Sequence, residues 1–312
     1  MIKSFKELFT NLKTKGREKI IVVGGEDLET LKALKDSYDY GLGEGILVGE
    51  KNEIEKSLSL LGESNFVKEI IEAKDDQEKT RKAVEKVKEG GILLKGKIKT
   101  AILLKAVLSK EWGLRTDKII SDVFIFEDKR EENPKLVLMS DGGVNLKPDI
   151  NTLVAIINNA VEMAHKLGIE NPKVALLAAV ETINPDMEET IKAGIISKMN
   201  DRKQITGCII DGPLALDNAI SEYAAQKKGI TSAVAGKADI LIVPDIAAGN
   251  IFGKALTYYA NYQVGHLLVG TKVPVIIPSR ADKSEVKLNC IALSILCSNL
   301  KFKIKIGTHP IF

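Results

Sequence analysis

The sequence predicts an α/β protein of two α/β/α lobes with mostly parallel sheets. Three observations carry that prediction. Short apolar, β-rich runs alternate with helical patterns along most of the chain, the arrangement of a parallel sheet covered on both faces. The 312 residues exceed what a single core usually organises. Turn formers collect in GGVNLKPD, residues 142–149, just before a long helical pattern, which marks a change of lobe. The boundaries follow as a first lobe over 1–142, a second over 143–281 and a tail over 299–312.

In chain order, Ile2, Phe5, Leu8, Phe9 and Leu12 recur at helical spacing and predict an amphipathic helix packed on the body. IIVVGG (20–25) and GILVGE (45–50) are buried strands, followed by helices over 27–38 and 54–61. GILLKG (91–96) is a third strand, with a helix over 100–109. DVFIFED (122–128) and KLVLMSDG (135–142) are neighbouring strands joined by KREENP, read as a hairpin on the first lobe. A long helix spans 150–167. KVALLAAV (173–180), TGCIIDG (206–212), DILIVPD (239–245), VGHLLVG (264–270) and PVIIPS (274–279) are further strands. Helices fit over 187–200, 213–226, 248–262 and 282–297. The alternating tail LKFKIKIGTHPIF reads as an edge strand or a loose end.

Composition excludes several function classes. The 45 Lys and Arg nearly balance the 42 Asp and Glu, and the basic residues are dispersed, so nucleic acid is not an expected partner. Cys208, Cys290 and Cys297 have neither CxxC spacing nor enough partners for a disulfide framework, which fits a cytoplasmic protein. The N-terminus has no apolar run suited to a signal peptide or membrane span. GGED at 24–27 is not a GxGxxG fingerprint, and no GxxxxGK[ST] loop occurs. His165, His266 and His309 are far apart, so no metal site is expected.

In open α/β sheets ligands gather at the carboxyl ends of strands. Three loops of that kind stand out. In DGPLALDNAIS (211–221), Asp211 ends a strand, Gly212 turns the chain and Pro213 suits a first helical position. Asp217 and Asn218 follow one turn on. A capped helix accounts for Asp211 equally well, whereas two polar groups on an apolar helix invite a substrate. PSRADKSEVKLN (278–289) runs a strand into Ser279 and Arg280 and then into the final helix. Helix N–H groups, a hydroxyl and a guanidinium fork would together suit an anion, and an N-cap serine with a solvated arginine is the bland alternative. In VPDIAAGN (243–250), Asp245 ends a strand and Asn250 lies near a helix start, where capping and substrate contact are both open.

Taken together, ALLAAVETINPDM, DGPLALDNAIS, VPDIAAGN and IIPSRADKSEVKLN resemble the phosphate acetyl/butyryltransferase family, in particular its butyryl branch. The resemblance spans roughly residues 15–298. It implies two lobes of the isocitrate/isopropylmalate dehydrogenase type with an active-site cleft between them, the helix over 282–298 returning to the first lobe, and a homo-oligomer. It implies reversible transfer of a short acyl group, butyryl preferred, from acyl-CoA to inorganic phosphate, giving acyl phosphate and CoA with no tightly bound cofactor. Ser279 and Arg280 match the serine-arginine pair that holds the reacting group. The aspartate that follows this pair in the acetyl branch corresponds here to Val286, leaving Asp282 and Glu285 as the nearest carboxylates for a base. Lys105 stands where the acetyl branch often has an arginine that holds CoA. Asp211, Gly212, Pro213, Asp217, Asn218, Asp245 and Asn250 complete the expected substrate contacts. The competing readings are a phosphate acetyltransferase and a catalytically silent CoA-binding relative.

Overall fold

A computed structural model describes residues 1–13, 16–130 and 134–299. The chain begins with α1 (Phe5–Leu12), β1 (Glu18–Val23), α2 (Leu28–Asp39), β2 (Gly43–Gly49) and α3 (Lys51–Leu61). It continues through β3 (Val67–Glu72), α4 (Asp76–Val87), β4 (Ile92–Lys95) and α5 (Thr100–Val107). The middle of the chain holds β5 (Ser121–Asp128), β6 (Lys135–Ser140), α6 (Ile150–Lys166), β7 (Lys173–Leu177), α7 (Glu188–Asp201) and β8 (Ile209–Leu214). Next come α8 (Leu216–Ile220), α9 (Glu222–Lys227), β9 (Ile240–Ile242) and α10 (Ile246–Tyr258). The last elements are β10 (Val264–Val269), β11 (Val275–Ile276) and α11 (Ser284–Asn299).

Two compact units result. The first combines residues 4–120 with the chain from 263 through α11, and the second holds 121–262. The division falls at 120 and 262 rather than at 142 and 281. The reason lies in the hairpin: β5 and β6 pair antiparallel, and β6 then pairs in parallel with β9, so the hairpin belongs to the second unit. The tail over 299–312 lies outside the described residues apart from the backbone of the last helical residue.

In the first unit the strands lie in the order β3-β2-β1-β4-β11-β10. All neighbours are parallel except β10 and β11. Ile20 to Val23 and Ile92 to Leu94 are completely buried at consecutive positions, which requires cover on both faces of the sheet. α4 and α5 pack together, as do α2 and α11, and α1 packs on α11. The amphipathic pattern of α1 is met by burial of Phe5, Leu8 and Leu12. β3 and α4 carry no strong sequence signal. β3 is a half-solvated edge strand, and the apolar stripe of α4 is only Ala83, Val84 and Val87.

In the second unit the order is β5-β6-β9-β7-β8, parallel from β6 onward. β8 overturns one sequence expectation. It continues through Asp211, Gly212 and Pro213 to Leu214, and two short helices follow where a single helix over 213–226 was expected. Pro213 is accommodated because β8 is an edge strand, where a missing N–H breaks no ladder. Gly212 is required by close approach, since a Cβ there would stand 2.6 Å from the Cβ of Leu176.

α11 is fastened to the first unit by polar contacts as well as packing. Lys287 Nζ donates to Asp27 Oδ2 at 2.7 Å and to Thr30 Oγ1 at 3.2 Å. Asp27 also caps α2, accepting from the Thr30 N–H at 3.0 Å. Burial alone would raise the Asp27 carboxyl, but the bonds from Lys287 and Thr30 outweigh it and hold the group below the ordinary aspartate range. Its contribution to stability is therefore present above about pH 4 and is lost as pH falls through the lowered folded-state value. The Lys287 side chain is 3% exposed and that of Asp27 30%, so the two partners are not equivalent. Asp27→Ala strands a buried ammonium and removes a cap, and is expected to cost about 3 kcal/mol. Lys287→Met leaves a carboxylate that water still reaches, and is expected to cost about 1 kcal/mol. Urea unfolding of both variants at neutral pH checks the order; equal costs would reject it.

Candidate active site

The first unit carries a cavity of about 610 Å³ at the carboxyl end of its parallel strands. Four strand ends supply its wall: Glu26 and Asp27 after β1, Glu50 after β2, Lys95 to Lys99 at and after β4, and Pro278 to Arg280 after β11. Glycine brings two of these segments together. Gly24, at φ +77°, passes so close to the next loop that a Cβ would stand 2.5 Å from the Lys97 carbonyl oxygen. The Lys97 N–H donates to the Gly24 carbonyl at 2.8 Å. GGED thus serves close backbone packing.

Ser279 and Arg280 are exposed on this cavity. Their loop is closed by Asp282. The Ser279 N–H donates to Asp282 Oδ2 at 2.7 Å, the Asp282 N–H donates back to the Ser279 carbonyl at 3.2 Å, and the Ala281 N–H reaches Ser279 Oγ at 3.4 Å. His266 Nε2 stands 4.0 Å from the same Asp282 oxygen. Asp282 thus closes this loop, and it is not among the residues that line the cavity. Nor is Glu285, which is exposed on the first turn of α11. Lys105, in the last turn of α5, is likewise exposed and away from the lining.

The anion geometry expected at the start of the final helix is changed in one respect. Ser279 and Arg280 do not form its first turn, because α11 begins at Ser284, and the Ser284 N–H already donates to Glu29 Oε2 of α2 at 3.0 Å. Charge at the cavity comes instead from side chains. Arg280 and Lys287 stand with Lys95, the last residue of β4, whose side chain is buried at 2% relative exposure. Also in the lining, Lys79 is bonded to Glu26 Oε1 at 2.7 Å, and Glu26 Oε2 has no hydrogen-bond partner. From the sequence Lys95, like Lys97, Lys99 and Lys105, could assist phosphate binding, but a lysine ending an apolar strand reads there as any surface lysine does.

In the second unit, Asp211 lies within β8 opposite Ala175, and its carboxylate accepts from the Gly212 N–H at 2.8 Å. Pro213 is buried. Asp217 is exposed and Asn218 buried. The Asn218 side chain donates to Glu181 Oε2 at 3.3 Å, and Lys228 joins Glu181 at 3.1 Å and Asp217 at 3.4 Å. The Asn218 Oδ1 is buried without a partner. The backbone bond from Asn218, then the Lys228 contacts, hold the Asp217 carboxyl below its ordinary range. Asp245 caps α10 by accepting from the Ala248 N–H at 2.8 Å. It also lines a cavity of about 430 Å³ beside the ends of β7 and β9, with Lys147 and Lys192. Asn250 is exposed in the second turn of α10, its amide 3.5 Å from the Gly142 carbonyl. Capping and cavity lining coincide at Asp245, whereas Asp211 and Asn250 are held by their own backbone surroundings.

Asp141, unmarked in the sequence, follows β6 in a buried turn. It accepts from the N–H groups of Gly143, Val144 and Asn145 and from the Asn145 amide. Burial, then the neighbouring Asp122, raises its carboxyl above the ordinary range. Among the described residues no group of three or more His, Cys, Asp and Glu is arranged to hold a metal ion, and no helix is long and apolar enough to cross a membrane.

A hydroxyl, a guanidinium and largely buried lysines thus gather at the carboxyl end of a parallel sheet, with no glycine phosphate loop among them. The chain belongs to the phosphate acetyl/butaryl transferase family, which residues 77–295 match. It is 44% identical to phosphate butyryltransferase from Clostridium acetobutylicum, over 96% of this chain and 100% of that protein. It is 43% identical to phosphate acetyltransferase from Thermotoga maritima, over 89% of this chain and 94% of that one. A branched-chain phosphotransacylase from Enterococcus faecalis superimposes with a TM-score of 0.81 at 32% identity, covering 90% of this chain and 99% of that chain. The chain is accordingly an acyltransferase.

Neither Cys290 nor Cys208 has the setting of a nucleophile. Cys290 is buried on α11. Cys208 lies half-buried ahead of β8 rather than inside a strand, and burial pushes its thiol up to about 12. At pH 8 its alkylation by iodoacetamide should be roughly a thousandfold slower than in the unfolded chain. Peptide mass spectrometry measures this directly, and comparable rates would show that the thiol is not held neutral.

Proposed function

We propose that this enzyme transfers a short acyl group, butyryl in preference to acetyl, reversibly from CoA to inorganic phosphate. Acyl phosphate and free CoA are the products, and transfer is direct within a ternary complex. The observation that carries the site assignment is the cavity at the carboxyl ends of β1, β2, β4 and β11, where Ser279 and Arg280 meet buried cationic charge. In this reading Ser279 and Arg280 stabilise the negative charge that builds on the acyl carbonyl oxygen as phosphate attacks. Phosphate dianion is already nucleophilic, so positioning supplies the rest in that direction. In the reverse direction the CoA thiol gives up its proton to a base.

Asp282 acts here through the loop, and the Ser279–Asp282 bond supports that role. Asp217, Asn218, Asp245 and the segment Asp211 to Pro213 are assigned to substrate contacts of the second unit, with Asp245 favoured because it lines a cavity. A cytoplasmic location accords with the three free cysteines, and a homo-oligomer belongs to the same reading. Acetyl as the preferred chain is the second reading, favoured by the 43% identity to a phosphate acetyltransferase. A pocket separates chains differing by one methylene by only about 1–3 kcal/mol, so activity across short chains is expected.

The test is release of CoA thiol from acetyl-, propionyl-, butyryl- and isobutyryl-CoA, with and without phosphate. Phosphate-dependent release, fastest with four-carbon chains, is the expected result, and kcat should fall by about 10²–10³ in Arg280→Ala. Release fastest with acetyl-CoA would establish the second reading; no release from any thioester would reject both. Asp282→Asn keeps an acceptor for the Ser279 N–H and should retain activity within about tenfold, whereas Asp282→Ala should lose considerably more. If Asn is as damaging as Ala, Asp282 is the base and not the support of the loop.

A further inference from the structure

The cavity that bears Ser279 and Arg280 contains cations of two kinds. Lys79 is neutralised by Glu26, and Lys287 by Asp27. Lys95 differs. The residue is only 2% exposed, it lines the cavity, and it makes no hydrogen bond or ion pair with any described residue. An amine so enclosed, with no internal partner and a cavity in front of it, is placed to meet an incoming anion or to lose its proton. The strand it ends is central in its sheet, flanked by β1 and β11, so the backbone fixes where the amine emerges.

We propose that Lys95 is a ligand of a substrate phosphoryl group, its ammonium completing the anion site that Ser279 and Arg280 open. The inference rests on the acyl transfer proposed above, whose substrates offer two sources of that chemistry: inorganic phosphate, and the phosphates of CoA. The same surroundings make the site proton-linked. Burial first, then Arg280 and Lys287, holds the Lys95 amine below the ordinary lysine range, while Asp27 and Asp282 oppose the shift. The remaining charges on the cavity wall are the Lys79–Glu26 pair, the carboxylates of Glu50, Glu53 and Asp76, and the ammonium groups of Lys74, Lys97 and Lys99. An arriving anion favours the ammonium, so binding in the alkaline range takes up a proton.

The experiment is calorimetric titration of inorganic phosphate, CoA and pantetheine into the wild type and into Lys95→Met, which replaces the amine by an uncharged side chain of similar length. The expected result is a loss of at least about tenfold in affinity for one anion, with the wild-type circular dichroism preserved. In the wild type, binding of that anion takes up protons on the alkaline side of neutrality, read from the dependence of the enthalpy on the buffer. A loss for inorganic phosphate puts the transferred phosphoryl group at Lys95. A loss for CoA without one for pantetheine puts the CoA phosphates there. Affinities within twofold of wild type for both anions overturn the proposal, as does a wild type that binds neither. Should Lys95→Met fail to fold, Lys95→Gln takes its place under the same criteria. A wild type that binds but forms no acyl phosphate counts against the proposed reaction and leaves the assignment of Lys95 standing.

Discussion

The ion pair between Lys287 and Asp27 closes a loop of 260 residues, and the arrangement of the first unit depends on it. The first strands of that unit are made early in the chain, and its last strands and helix only after the whole second unit has been traversed. α11 has apolar residues all round and so lacks one directing face; its buried residues include Leu288, Cys290, Ile291, Leu293 and Leu296. Apolar burial therefore holds this helix in place without fixing its register. The 2.7 Å bond to Asp27 and the donation from Ser284 to Glu29 supply two directional contacts near one end. Register matters because the Ser279–Asp282 loop is only two residues ahead of the helix. A slip of the helix would move Ser279 and Arg280 relative to the ends of β1 and β4.

The same constraint explains why the helix N-terminus is not itself the anion site. The first turn of a helix offers unsatisfied N–H groups and a positive dipole, and one of them is already taken by Glu29. Binding strength in the cavity is carried by side chains, which differ in how much of their charge is already compensated. Lys79 and Lys287 organise the walls through their carboxylates. Lys95 and Arg280 bear charge that internal partners do not cancel at contact distance. The division suits a site that must admit and release anions, since a cation locked to a carboxylate has to exchange one partner for another, whereas an unpaired one gains from binding alone.

Much of the architecture was legible in the sequence because the strands of a covered parallel sheet must be apolar at consecutive positions, as IIVV and ILL are. β3 and α4 were not, because an edge strand and a solvated helix bury too little to leave a periodic mark. Pro213 misled for a local reason: proline suits a helix start in general, and only the position of β8 at the sheet edge made it compatible with a strand. At the site, Ser279 and Arg280 could be found from a short motif. The commitment of Asp282 to the loop and of Glu29 to the helix end could not, since one depends on a turn conformation and the other joins residues 255 apart.

Lys95 marks the deeper limit of reading chemistry from sequence. Lys95, Lys97 and Lys99 share a segment of five residues, and composition gives no reason to prefer one. Their environments do. Lys95 ends a strand whose every residue is buried, while Lys97 and Lys99 are exposed in the following loop. An exposed ammonium meets a phosphate in a medium of high dielectric, where the attraction is small and shared with salt. A buried one meets it with little water between them, and the energy already spent in desolvating the amine makes the difference between empty and occupied states larger. Burial without a partner is thus what separates a lysine placed to hold a substrate from one that decorates a surface, and it becomes visible only when the strand, its neighbours and the returning helix are in position.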